Sequence, residues 1–249
     1  MRDIKDLIDP KTRGHNSVCL HLVIKGDYGK GTNLLGACEP YMDQIVVIHD
    51  GNLVGQEGAA FKLFCIKIGA VFMEAPDSGG WPQLHRGLGV ALTYTDWLFH
   101  VDSDEMPTEE LLKGLDKLVA NGASRQAPGY LVVLETTEYD GTVLKNLVPR
   151  LLRVTPGLCW PNMAHSHPTW TWGRGNSNLL NAPEEMKIYH NHETEDPNKR
   201  ERRNAHAVEI IMQRWGEYEQ ARNHARDISI NNPSAQEVLE CYLQKLEQQ

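Results

Sequence analysis

The sequence predicts an α/β protein built on a mostly parallel central sheet. Short, β-branched apolar runs alternate with stretches of helical periodicity. These runs stop at polar loops rich in glycine and aspartate, as strands do at the ligand-bearing edge of an open sheet. A hairpin signal follows the parallel half, so a small antiparallel excursion is expected before the C-terminal helices.

Residues 18–24 (VCLHLVI) form the first apolar run, which ends at a loop holding Gly26, Asp27, Gly29 and Gly31. A helix is expected over 33–41, then a strand over 44–48 stopped by His49-Asp50-Gly51, which makes a βαβ unit and hence parallel pairing. A third strand is expected at 70–73, a helix at 84–93, and a strand at 97–101 that runs straight into Asp102-Ser103-Asp104-Glu105. Pro107 opens a helix that carries Leu111, Leu112, Leu115, Leu118 and Val119 on one face and closes at Asn121-Gly122. Strands over 129–135 and 143–152 flank a turn at Asp140-Gly141. Residues 155–187, rich in Trp, Pro, Asn and Gly, read as loops. From about Lys199 the pattern returns to helix, with Ala207, Val208, Ile210, Ile211 and Trp215 on a wide apolar face. A last helix starts at Ser234, whose spacing to Glu237 has the form of a capping box. The expected organisation is a main domain over 1–215 and a helical extension over 216–249 packed on it.

Composition narrows the function classes. The 249 residues are 41% hydrophobic and 23% charged, ordinary for a globular chain. The formal net charge of −8 weakly disfavours a nucleic-acid partner. No apolar run approaches the roughly 20 residues of a membrane span, and the start Met1-Arg2-Asp3-Ile4 lacks the basic and apolar parts of a signal peptide, so the expected location is cytoplasmic. The five cysteines, an odd number without a C-x-x-C pair, signal neither a disulfide framework nor a cysteine zinc site.

The strongest chemical signal is Asp102-Ser103-Asp104-Glu105 at a strand end. Carboxylates at i and i+2 there can reach one hard cation, and Mg²⁺ or Mn²⁺ held by one or two carboxylates completes its shell with substrate phosphates. The same residues also suit a solvated acidic loop before the helix near Pro107. Spacing alone weighs the two evenly.

The order of the landmarks resembles the family-2-like glycosyltransferases of the GT-A fold, especially bacterial enzymes of the lipopolysaccharide-core and peptide-modifying kind. The matching stretches are Lys25-Gly26-Asp27, residues 43–51 (DQIVVIHDG), Gly69-Ala70-Val71-Phe72, Trp81, Arg86-Gly87 and residues 96–105 (DWLFHVDSDE). Later matches are Arg150 or Arg153, Ala164-His165-Ser166-His167, Ile188-Tyr189-His190 and residues 199–204 (KRERRN), so the resemblance spans roughly residues 18–215. It implies a donor that is a nucleotide-diphosphate sugar, UDP-linked by default, and Mn²⁺ or Mg²⁺ as cofactor. Asp104 would be the direct metal ligand, Asp102 a ribose or metal contact, and His190 the third protein ligand. Arg86, Lys199 and Arg203 would bind the diphosphate part of the donor, and Lys25 would be a further nucleotide-sugar contact. The base would lie near His49 and Asp50, where the family has an Asp at the position His49 occupies. No carboxylate stands at the family's catalytic-base position, which leaves His165 or His167, with Glu135 and Glu184 as alternatives. The acceptor class stays open. Trp160, Trp170 and Trp172 fit either a sugar-stacking platform or buried loop anchors.

Three other readings compete. The His165/His167 and His190/His192 pairs would suit a hydrolytic zinc or iron site. A sugar-phosphate nucleotidyltransferase would share the sheet and the metal-diphosphate chemistry, and Gly29-Lys30-Gly31-Thr32 invites that comparison, although the P-loop pattern G-x-x-x-x-G-K-[ST] is absent. A binding module without turnover would retain the same carboxylates.

Overall fold

Strand β1 (Val18–Ile24) is buried at every position and forms the hub of the sheet. Its residues alternate between two faces, so a strand with helices on both sides reads as a continuous apolar run. The computed structural model describes residues 16–79, 82–138, 140–160, 169–170, 178–191, 197–216, 218–230 and 232–247. The chain divides into two units, Met1–Thr137 with Val143–Asn191, and Glu138–Thr142 with His192–Gln249.

In the first unit the chain runs from β1 through α1 (Tyr28–Cys38), β2 (Gln44–Asp50), α2 (Gly55–Lys67) and β3 (Val71–Ala75) to α3 (Arg86–Leu92) and β4 (Trp97–His100). Then come β5 (Glu105–Pro107), α4 (Glu109–Ser124), β6 (Gly129–Thr137) and β7 (Val143–Arg153). The short strands β8 (Leu158–Cys159) and β9 (Thr169–Trp170) pair with each other, and β10 (Leu180–Asn181) and β11 (Lys187–Asn191) rejoin the main sheet. That nine-stranded sheet has the order β3-β2-β1-β4-β7-β6-β11-β5, with β10 beside β6. Pairings β1–β2, β2–β3, β1–β4, β6–β10 and β6–β11 are parallel, while β4–β7, β6–β7 and β5–β11 are antiparallel. The chain leaves β1 toward β2 and β3, then returns to place β4 on the other side of β1. That reversal makes a topological switch point at the carboxyl ends of β1 and β4, where open α/β sheets bind ligands.

One face of the sheet packs Leu20, Leu22, Trp97, Phe99 and Tyr130 against Leu111, Leu115 and Val119 of α4. Gly122 permits this approach, since a Cβ there would lie 2.6 Å from the Trp97 ring. Thr108 caps α4 by accepting the Leu111 N–H at 3.2 Å.

Several elements differ from expectation for identifiable reasons. Helix α1 starts at Tyr28, directly after Asp27 adopts a left-handed backbone (φ 48°), and residues 39–41 tighten into a 3₁₀ turn containing Pro40. Helix α2 has no counterpart in the sequence reading. It buries only a narrow set, Gly58, Phe61 and Cys65, while Leu63 (67% exposed) and Ile66 (58%) face outward, so no apolar stripe marks it. The stretch expected to be loops contains the short strands β8, β9 and β10, and β11 begins at its end.

In the second unit α5 (Pro197–Trp215) packs against both α6 (Glu219–Ser229) and α7 (Pro233–Glu247), burying Ala207, Val208, Ile211, Ala225, Ala235 and Leu239. Helix α5 shares its apolar face with the two later helices, and all three belong to the second unit. The α7 N-terminus is capped by Asn232, whose Oδ1 accepts the Ala235 N–H at 3.0 Å. Ser234, expected to cap, donates to Glu201 at 2.5 Å instead. No described helix is long and apolar enough to cross a membrane.

Candidate functional site

At the carboxyl end of β4 the chain makes a tight loop over residues 102–105. It is closed from both sides, with the Glu105 N–H donating to the Asp102 carbonyl at 3.1 Å and the Asp102 N–H donating to Glu105 Oε2 at 3.0 Å. Strand β5 leaves this loop and pairs antiparallel with β11 in the register His190 opposite Glu105, Tyr189 opposite Met106 and Ile188 opposite Pro107. That register brings His190 Nε2 to 3.4 Å from Asp104 Oδ2. Burial works against a charged His190, but Asp104 outweighs it and raises the imidazole above its ordinary range. Burial likewise opposes ionisation of Asp104, and His190 outweighs it, holding the carboxyl low.

Asp102 sits differently. Arg86, the first residue of α3, donates from one nitrogen to Oδ1 at 2.7 Å and to Oδ2 at 2.8 Å. Arg150 of β7 adds a contact to Oδ2 at 3.3 Å, and His100 Nε2 lies 3.1 Å from Oδ1. Burial favours the neutral acid, yet Arg86, Arg150 and His100 together hold Asp102 well below the usual carboxylate range. These four contacts match the roughly four acceptor sites of a carboxylate. Arg150 also pairs with the buried Glu105, whose pKa burial and the neighbouring Asp102 raise despite that arginine. The Arg86 guanidinium lies over the buried Trp160 ring, 5.2 Å from its centroid.

A second cluster occupies the ends of β1 and β2. The Asp50 side chain is fully buried and accepts from the Ser78 N–H and hydroxyl, both at 2.6 Å, with His85 Nε2 at 3.0 Å and Lys25 Nζ at 3.4 Å. Lys25, half-exposed, lies 2.6 Å from Asp77 as well. His49 is buried with its ring stacked on Tyr28. Its Nδ1 lies 2.9 Å from the Gly51 carbonyl, an acceptor, so Nδ1 donates there, and its Nε2 lies 3.0 Å from the Tyr28 hydroxyl.

The structure therefore joins Asp104 with His190 and, separately, Asp102 with Arg86. Lys25 and Asp50 come together at the β1/β2 end, where His49 turns to Tyr28 and Gly51. Lys199 and Arg203 fall on α5 in the second unit, with side chains outside the described residues; His165, His167, Trp81 and Trp172 also lie outside them. Of the alternative bases, Glu135 pairs with Lys187 at 2.8 Å and Glu184 with Lys145 at 2.9 Å. Among the described residues no three His, Cys, Asp or Glu side chains group so as to hold a metal ion. Sequence reasoning gave no role to Glu105, His100 or His21, and noted Arg150 only as a strand arginine. Their one signal is polarity inside strands that are otherwise apolar.

No family model matches the chain, and no curated protein matches it by sequence. Solved structures do match. S. aureus TarS 1-349 in complex with UDP aligns over 79% of this chain and 65% of its own, at 12% identity and a TM-score of 0.53. The complex with UDP-GlcNAc aligns over 79% and 66%, at 13% identity and a TM-score of 0.50. A further TarS crystal structure aligns over 79% and 42%, at 13% and 0.50. The chain thus spans less than two thirds of the TarS chains it matches. At this identity the likeness establishes the fold, the α/β arrangement of nucleotide-sugar glycosyltransferases that the landmark order implied.

Proposed function

We propose that the chain is a glycosyltransferase that takes a sugar from a UDP-linked donor, with a divalent cation held by Asp104 and His190. The observation that carries this reading is the Asp104–His190 pair beyond the carboxyl end of β4, in a fold shared with a protein crystallised with UDP and UDP-GlcNAc.

The donor set fits Mn²⁺ or Mg²⁺, which bind through one or two protein groups and leave positions for phosphate oxygens and water. The carboxylate and the remaining water and phosphate oxygens suit both ions. Bound there, such an ion would neutralise the charge that develops on the departing diphosphate. Asp104 contributes an anionic oxygen and, once its proton is lost, His190 contributes a nitrogen. Asp102, with its acceptor sites taken by protein groups, leaves the metal to its neighbour and anchors the loop. Lys25, the exposed cation at the end of β1, faces the same edge and is suited to a phosphate oxygen. Glu135 and Glu184 are engaged by lysines, which favours His165 or His167 for removing the acceptor proton.

Thermal shift with UDP, GDP, CDP and TDP, each with and without Mn²⁺, tests the reading. Ligand at a hundredfold its Kd stabilises by about 3 kcal/mol, or roughly 5 to 10 °C for a chain of this size. UDP with Mn²⁺ is expected to give the largest shift, and Asp104→Ala to lose the Mn²⁺-dependent part while remaining folded. His190→Ala is expected to weaken the metal response more than His192→Ala. Absence of a shift with every nucleoside diphosphate would overturn the proposal.

A further inference from the structure

Beneath the D-x-D loop two histidines, His21 and His100, lie side by side in adjacent strands. The parallel register of β1 and β4 sets His21 beside His100, and both are fully buried. Their Nδ1 atoms are 3.2 Å apart, and His100 Nε2 is 3.1 Å from Asp102 Oδ1.

The protons in this chain can be placed by elimination. The Asp102 carboxylate, bound by Arg86 and Arg150, is an acceptor only, so His100 must carry its proton on Nε2 and donate. A neutral His100 then has a bare Nδ1, and the short contact to His21 is a hydrogen bond only if His21 Nδ1 carries the proton. His21 Nε2 is consequently bare, and it has no hydrogen-bond partner among the described residues. The packing agrees: α3 lies so close that a Cβ on Gly89 would come within 1.9 Å of that nitrogen. Burial and the nearby Arg86 guanidinium bring the His100 pKa down to about 4, which keeps the ring neutral at pH 7.

We propose that His100, locked in its Nε2-protonated tautomer by His21, is a positioning residue that holds Asp102 on Arg86 and so leaves Asp104 as the carboxylate available to a ligand. A histidine at the end of a central strand has little freedom to turn, and the two-ring chain fixes which of its nitrogens carries the proton. The adjacent D-x-D carboxylates are thereby given different tasks by a device two residues upstream of the loop. The effect on donor binding rests on the proposed function, whereas the tautomers do not.

Two-bond ¹H–¹⁵N correlation spectra of the full chain labelled with ¹⁵N-histidine test this directly. Spectra of His21→Gln, His100→Gln and His100→Leu would assign the signals. The expected result is an Nε2-protonated His100 and an Nδ1-protonated His21 in the nucleotide-free protein, both unchanged between about pH 6 and 8, well above the lowered His100 value. His100→Leu, which removes a donor to a charged group, is expected to weaken Mn²⁺-UDP binding about tenfold, and His100→Gln, which keeps an N–H donor, to recover most of it. A wild-type His100 protonated on Nδ1, a charged His100 at pH 7, or a folded His100→Gln binding no better than His100→Leu would each overturn the inference. If no nucleotide binds the wild type, the proposed function fails and the tautomers still decide the positioning role.

Discussion

A buried guanidinium that loses its carboxylate keeps its charge, because arginine stays protonated at any accessible pH. Asp102→Ala would strand Arg86, whose side chain is 10% exposed, and leave Arg150 with Glu105 alone. Breaking such a pair costs about 3 to 5 kcal/mol. Asp104 is 37% exposed at the side chain, and removing it should cost less than about 1 kcal/mol. Urea denaturation of the two alanine variants is expected to separate them clearly, and equal stabilities would show that the arginine network holds nothing. The buried histidines make a related forecast for pH. The folded pKa of His100 is depressed from 6.5 to about 4, so between these values the unfolded chain binds the extra proton. Stability is then full above pH 6.5 and falls as pH drops toward 4, by on the order of 3 kcal/mol. His21, also lowered by burial, acts in the same direction. His190 runs the other way, since its raised pKa gives stability that is full below 6.5 and lost as pH rises through the folded value. Two fully buried rings outweigh one partly exposed ring, so the melting temperature is expected to fall from pH 7 to pH 5, and less steeply in His100→Gln.

At the level of elements, glycine separates close packing from idle flexibility. Gly89→Ala pushes a Cβ into His21 and is expected to cost about 1 to 3 kcal/mol through overpacking. Gly36 in α1 has open space around it, so Gly36→Ala is expected to add about 0.5 to 1 kcal/mol by removing unfolded-state freedom. Melting curves of both variants check the contrast. Elements with a strong one-dimensional signature were legible in the chain. Strands β1, β2 and β4 are continuous apolar runs, α4 shows a clean stripe, and the β6–β7 turn has Gly141 at φ 80°. Helix α2 was not legible, because it exposes the residues that would have marked a stripe. The difference between Asp102 and Asp104 was equally hidden. It depends on Arg86, Arg150 and His190, which converge only through sheet order and the β5–β11 register.

For the molecule as a whole, the net charge of −8 sets the terms on which any polyanion approaches. A nucleic-acid acceptor would meet net repulsion, so fluorescence anisotropy with labelled RNA at about 150 mM salt is expected to show no saturable binding. Saturable binding would instead move the acceptor into that class. The order in which the chain becomes available adds a constraint that the finished fold conceals. Lys187 and Thr108 bond to each other across 79 residues, with the Thr108 N–H on the Lys187 carbonyl at 2.9 Å. Closing so long a loop adds little to the equilibrium cost but delays the contact. A chain emerging from the ribosome at about 5 to 20 residues per second presents its aspartates well before the histidine-bearing strand exists. The first strands can pair meanwhile, but the strand that sets His190 over Asp104 is made after every other described strand of the sheet. Whatever ligand needs both Asp104 and His190 therefore finds no complete site on the nascent polypeptide until β11 has been made and has paired with β5.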